Sequence, residues 1–176
     1  MSADRVRLAG SGRRADGATV TWTIADGRRG RRWREVVVLD GDVVLSLLYE
    51  TGPDRRFTHL ELASAAGLAT LHPEPDGTLH GNVVRTDGGV EHVRGLAAPG
   101  GAVQVEGSVV TTAALAWAGG GNRQDVGAGV EAVVLDPATL TIERGTVALD
   151  VTAADADGIP ALADPTRWRL EDDPGA

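Results

Sequence analysis

The stretch that decides the fold is "EVVVLDGDVVLSLLYE", Glu35 to Glu50. Two runs of β-branched and aliphatic residues flank Asp40-Gly41. A two-residue type I′ turn needs positive φ at both central positions, and Asp-Gly accepts that backbone at little cost. The stretch therefore reads as a β-hairpin, and the same punctuation recurs along the chain. "RFTHLELA" (56–63) is the next strand. "GLATLHPE" (67–74) and "GTLHGNVV" (77–84) are joined by Pro75-Asp76-Gly77. "GGVEHVRGL", "AVQVEGSVVTTAALAW", "GAGVEAVVLD", "ATLTIERG" and "GTVALDVTAA" follow at similar spacing. Turn signals about every eight to twelve residues, with no capped amphipathic run of helical period, indicate an all-β protein of about ten to thirteen strands. The one helical candidate is "DADGIPALADPTRWRL" (155–170), whose two prolines reduce it to a loop with one turn of helix.

The chain has 176 residues, enough for one domain that buries roughly 70% of the surface its unfolded form exposes. We expect a single β domain over residues 1–176, with 1–17 a loose N-terminal arm and 171–176 a frayed tail. There is no cysteine, so disulfides, thiolate metal sites and a cysteine nucleophile are excluded. The N-terminal stretch is charged and Gly-rich with no apolar segment, which predicts a cytoplasmic protein without membrane insertion. The formal charge of −8 argues against nucleic acid. No P-loop, dinucleotide fingerprint or nucleophile elbow is present, and no cofactor is expected.

One local stretch runs against the acidic balance. "GRRGRRWRE" (27–35) sets five arginines around Trp33. Guanidinium forks suit phosphate or carboxylate, which makes Arg31, Arg32 and Trp33 candidate ligand-binding residues. The alternative is a solvated turn that keeps a sheet edge soluble. With only one Phe and one Tyr, the inward positions are mostly Val, Leu and Ala. A strongly curved half-barrel of this kind either packs tightly or leaves an apolar space for a ligand. The glycine-rich "AGGGN" (118–122), which follows Trp117, reads as a flexible loop at the mouth of such a space.

All four histidines lie between His59 and His92. Alternation along strands puts His59 and Glu61 on one face with Phe57, opposite Thr58, Leu60 and Leu62. It puts Thr78, His80 and Asn82 together, and Val90, His92 and Arg94 together. If Pro75-Asp76-Gly77 is a three-residue loop closed by Gly77 in the left-handed region, Glu74 faces Thr78, Pro73 faces Leu79 and His72 faces His80. Directly opposed Cβ atoms are about 5 Å apart, so those imidazoles meet, and a compatible register adds His59 to the row beside Glu61. Three readings attach to the row. It can hold a metal, serve as acid and base, or lie on the wet face of the sheet. The absence of a compact HxH or HExxH spacing leaves no metal centre predicted. His59, His72 and His80 are the catalytic candidates if the protein is an enzyme, and Glu61, His72, His80, His92 and Trp117 join the ligand-binding candidates.

The stretch over about residues 33–145 resembles the glycolipid-binding protein family, once filed as a family of unknown function. The resemblance rests on Asp54, Arg55 and Arg56, on Asp76, Gly77 and Gly81, and on Gly127, Gly129, Pro137 and Leu140. Leu79 and His80 stand where the family has an aromatic residue, and "VVTTAALAW" (109–117) replaces a polar Thr-Asn-Thr-Leu-Pro stretch. The resemblance implies an antiparallel spiral β-roll with a concave apolar face. The leading expectation is a binding protein that holds a lipid-like or other amphipathic small molecule in that concavity. The alternatives are a cofactor-independent cyclase or isomerase acting on a polyketide- or polyene-like substrate, and an interaction domain without ligand. Unpaired sheet edges allow a homodimer.

Overall fold

The computed structural model describes residues 7–98, 101–119, 129–150, 152–155 and 157–169. These form twelve strands and one helix: β1 (Arg7–Arg13), β2 (Thr19–Gly27), β3 (Gly30–Leu39), β4 (Asp42–Thr51), β5 (Phe57–Ser64), β6 (Gly67–Pro73), β7 (Thr78–Arg85), β8 (Val90–Ala97), β9 (Val103–Val105), α1 (Val109–Ala118), β10 (Gly129–Leu135), β11 (Ile142–Ala148) and β12 (Ala163–Arg169). The fold is all-β, as the hairpin pattern predicts. A nine-stranded antiparallel sheet runs in the order β12-β1-β2-β3-β4-β5-β6-β7-β8, open at β12 and β8. A second sheet has the order β11-β10-β9. Among the described residues no helix is long and apolar enough to cross a membrane.

Local turn chemistry sets the register of the large sheet. Asp40 (φ 53°) and Gly41 (φ 91°) make the type I′ turn, and Leu39 pairs with Asp42 across it. Three longer hairpins share one design, a three-residue loop whose last residue is a glycine with positive φ: Gly17, Gly77 and Gly88. Gly41→Ala should cost about 1 kcal/mol, because only glycine takes this backbone freely, and chemical denaturation would read the loss.

One face of the large sheet carries the core. Val20, Trp22, Ile24, Trp33, Val37, Leu45, Leu47, Tyr49, Leu60, Leu62, Leu71, Leu79 and Val83 point inward at alternate positions. The small sheet and α1 cover them with Val103, Val105, Val110, Ala114, Val133 and Leu135. The opposite face bears most of the polar residues, together with an exposed apolar row of Leu68, Val84 and Val90 on neighbouring strands.

Four expectations are corrected. "AVQVEGSVVTTAALAW" is not one strand: β9 ends at Val105 and α1 begins at Val109. Ser108 caps the helix by accepting from Thr111 N, and the alanines that follow favour helix. The helix buries Val110, Thr111, Ala113, Ala114 and Ala116, so it lacks the one-sided apolar stripe that would have announced it. It links β9 to β10, which pair in parallel, the one departure from antiparallel order among the described strands. The N-terminal arm is in part a strand. β1 pairs with both β2 and β12, while residues 1–6 and the tail 171–176 lie outside the described residues. Gly10 sits opposite Trp22, and a Cβ there would lie 2.3 Å from the indole, so the glycine makes room for the ring. "DADGIPALADPTRWRL" ends in β12 rather than a helical turn. Pro165 is tolerated because β12 is an edge strand whose register shifts between Ser11 and Arg13. Finally, Phe57 is buried with Leu60 and Leu62, not beside His59 and Glu61. A bulge between Glu50 and Thr51, where Glu50 pairs with His59 but Thr51 with Phe57, reverses the alternation there.

Candidate functional site

Among the described residues, the inner face of the sheet lines a partly open space of ligand size. A cavity of about 320 Å³ lies between the β4–β5 hairpin, α1 and β10. Tyr49, Phe57, Ala102, Ala114, Leu115, Val130 and Leu149 give it apolar walls, and Asp54, Arg55 and Arg56 stand at its rim. That is at the lower end of small-molecule sites, which are mostly apolar with a few placed polar groups. Tyr49 is fixed by donating from its hydroxyl to Val103 O at 3.2 Å, and burial pushes its phenol pKa far above the ordinary value. Its ring packs on Phe57 at 5.3 Å between centroids.

The rim has an unusual backbone. Gly52 N donates to Arg56 O and Arg55 N to Gly52 O, which closes Pro53-Asp54-Arg55 as a loop of the same design as the Asp-Gly hairpins. Where those have glycine, this loop has Arg55 at φ 65°. A left-handed backbone costs a side-chain-bearing residue about 1 kcal/mol, a cost that Asp40, Leu140 and Asp164 bear elsewhere. Arg55 lies over the Trp117 ring at 4.3 Å and donates from Nη1 to Trp117 O at 3.0 Å, which ties the loop to the end of α1.

The arginine cluster divides. Arg31 is buried: it grips Asp26 through Nε at 2.6 Å and Nη2 at 2.9 Å, and its Nη1 donates to Asp157 O. It stacks over Trp117 at 4.3 Å and Trp33 at 5.6 Å. Trp33 is fully buried and meets Trp117 edge-on at 5.4 Å. The structure thus brings Trp117 onto Arg31 and Trp33, a grouping the sequence did not indicate, as an interior stack whose fork is engaged by the protein. Arg32 points to the other face and pairs with Glu50 at 2.5 Å. There Arg7, Ala25, Arg32, Glu50 and His59 oppose one another on successive strands. With Arg28 and Arg29 they line an open groove of about 710 Å³. It is larger than the inner cavity, but its walls are mostly charged and polar side chains on a sheet surface, so the inner cavity with its apolar walls is the better small-molecule site.

The histidines occupy this outer face. The β6–β7 register is the one the Pro75-Asp76-Gly77 loop predicts: Pro73 pairs with Leu79 and His72 with His80, the two rings 5.1 Å apart. Glu74, which sequence reading set only opposite Thr78, reaches both: its Oε1 lies 3.2 Å from His80 Nδ1 and 3.6 Å from His72 Nε2. The signal was the spacing of His72 and Glu74, two apart on a strand and hence on one face. His59 stands level with His72, one step beyond the last paired rung, Leu60–Leu71, and its Nε2 meets Glu61 Oε1 at 2.9 Å. His92 Nδ1 meets Asn82 Oδ1 at 2.6 Å in the next row.

No protein-family model, curated protein or solved structure matches this chain.

Proposed function

We propose that this protein binds an amphipathic small molecule with an anionic end. Its apolar part lies in the cavity between α1 and the β4–β5 hairpin, and Arg55 and Arg56 meet its charge. The observation that carries this reading is Arg55, held in a backbone conformation that favours glycine at the rim of an apolar cavity. Among the described residues, one of its five N–H donors is engaged, by Trp117 O, which leaves a fork suited to carboxylate or phosphate. Asp54, Arg55 and Arg56 are also among the residues that carry the resemblance to glycolipid-binding proteins.

Decanoate titrated against the protein, read by calorimetry, tests the reading. Saturable one-to-one binding is expected. Arg55→Gly removes the cation and the backbone penalty together, so stability should change by less than about 1 kcal/mol. Decanoate affinity should nonetheless fall at least about tenfold, the worth of one charge-assisted hydrogen bond, while decanol binding changes little. Leu115→Trp, which fills the cavity, should weaken both. The reading fails if wild-type protein binds neither molecule, or if both variants bind decanoate as wild type does.

A further inference from the structure

We infer that His72, Glu74 and His80 form a site for a divalent transition-metal ion, Zn²⁺ foremost, on the outer face of the β6–β7 hairpin. The inference is independent of the inner cavity. One ligand atom from each residue lies within 4.8 Å of the other two. Ligand bonds of about 2.0–2.2 Å at a tetrahedral angle place neighbouring donors about 3.3–3.6 Å apart. The two separations to Glu74 Oε1, 3.2 Å and 3.6 Å, bracket that spacing without moving the backbone. Two imidazole nitrogens and one carboxylate oxygen suit Zn²⁺ or a neighbouring first-row ion, not Mg²⁺ or Ca²⁺, which want oxygen alone. Three ligands leave a coordination position for water or an exogenous group, the pattern of an open site rather than a closed structural one.

The hairpin holds the ligands in place. His72 and His80 are opposed by register, and the register is pinned beside them at Gly81, where a Cβ would lie 1.9 Å from Thr70 O. Glu74 closes the loop, donating from N to Thr78 O at 2.7 Å and accepting from Gly77 N at 3.0 Å. Asp76 Oδ1 accepts from the Thr78 hydroxyl at 2.7 Å and from Thr78 N at 2.9 Å, which stiffens the turn. Both imidazoles are part-exposed, so an ion arrives from solvent with no opening of the fold.

The test is Zn²⁺ uptake by tag-free protein, measured by competition with a chromophoric chelator. One equivalent should bind, with His72→Ala and His80→Ala each weakening affinity at least about tenfold, since even the loss of an outer partner of a ligand costs that much. Glu74→Gln should weaken it less than either. A measurement on wild-type protein guards against variants that misfold: added Zn²⁺ should shift the NMR ring signals of His72 and His80 and leave those of His59 and His92 in place. Absence of saturable binding, equal shifts at all four histidines, or undiminished uptake by folded His72→Ala and His80→Ala proteins would overturn the site.

Discussion

Trp33→Ala should destabilise the protein by about 4 kcal/mol, the larger of the two greatest losses expected. Trp33 is fully buried on β3 and is the meeting point of three elements. It contacts Tyr49 of β4 edge-on at 6.0 Å, Trp117 of α1 at 5.4 Å and the Arg31 guanidinium at 5.6 Å. Truncation leaves a cavity that the sheet backbone cannot collapse into, and Trp117 loses the ring against which it packs. Trp33→Phe separates volume from polarity. Trp33 Nε1 is buried without a hydrogen-bond partner among the described residues. An orphaned buried donor costs about 1–3 kcal/mol, so deleting it offsets much of the lost area, and Phe should cost only about 1 kcal/mol. Urea denaturation of the three proteins decides this. An alanine variant as stable as wild type would mean that Trp33 does not organise the core.

Glu35→Ala should cost about 3 kcal/mol, because the carboxylate joins the large sheet to the start of α1. Glu35 is fully buried on the same inward face of β3 as Trp33 and Val37. Its Oε2 accepts from the Ser108 hydroxyl at 2.5 Å and from Val110 N at 3.3 Å, and its Oε1 from Val109 N at 3.2 Å. A carboxylate among the unpaired amides of a helix N-terminus is favourably placed. Alanine leaves those donors without an acceptor inside the core.

Burial pushes the Glu35 pKa above the ordinary carboxylate range, while the bonds from Ser108, Val110 and Val109 pull it back in part. The folded protein therefore holds this proton more tightly than the unfolded chain. That contribution to stability is full below the unfolded carboxylate pKa, near about 4.3, and is lost as pH rises through the folded value. Glu35→Gln abolishes the titration. The stability of wild type minus that of the Gln variant should then be greater near pH 4 than near neutrality. Denaturation at the two pH values measures it, and a difference that grows with pH would reverse the assignment.

The sheet was legible where its determinants are neighbours in the chain. Asp40-Gly41 and Pro75-Asp76-Gly77 close their hairpins through their own backbone geometry. The register they impose brings His72 onto His80 with no help from the rest of the protein. Alternation then assigns Leu60, Leu62, Leu79 and Val83 to the core. It failed at Phe57, where one bulged residue reverses the face and no residue type marks the bulge.

What lay beyond the sequence depends on partners far along the chain. The valines and threonines that open α1 suit a strand as well as a helix, and a carboxylate on β3, more than seventy residues earlier, meets the amides of its first turn. β12 exists because β1 offers it an edge, which overrides the two prolines that argue against a regular element. Arg31 reads as a free anion clamp until Asp26 and the Asp157 carbonyl occupy its fork. Arg55 reads as an ordinary loop residue until its positive φ and its stack on Trp117 are seen together. Turns and face alternation are set by steric preferences within a few residues, so the sequence alone determined them. The helix, the edge strand, the engaged arginine and the cavity each require two distant segments to meet, and only the tertiary structure decided which ones do.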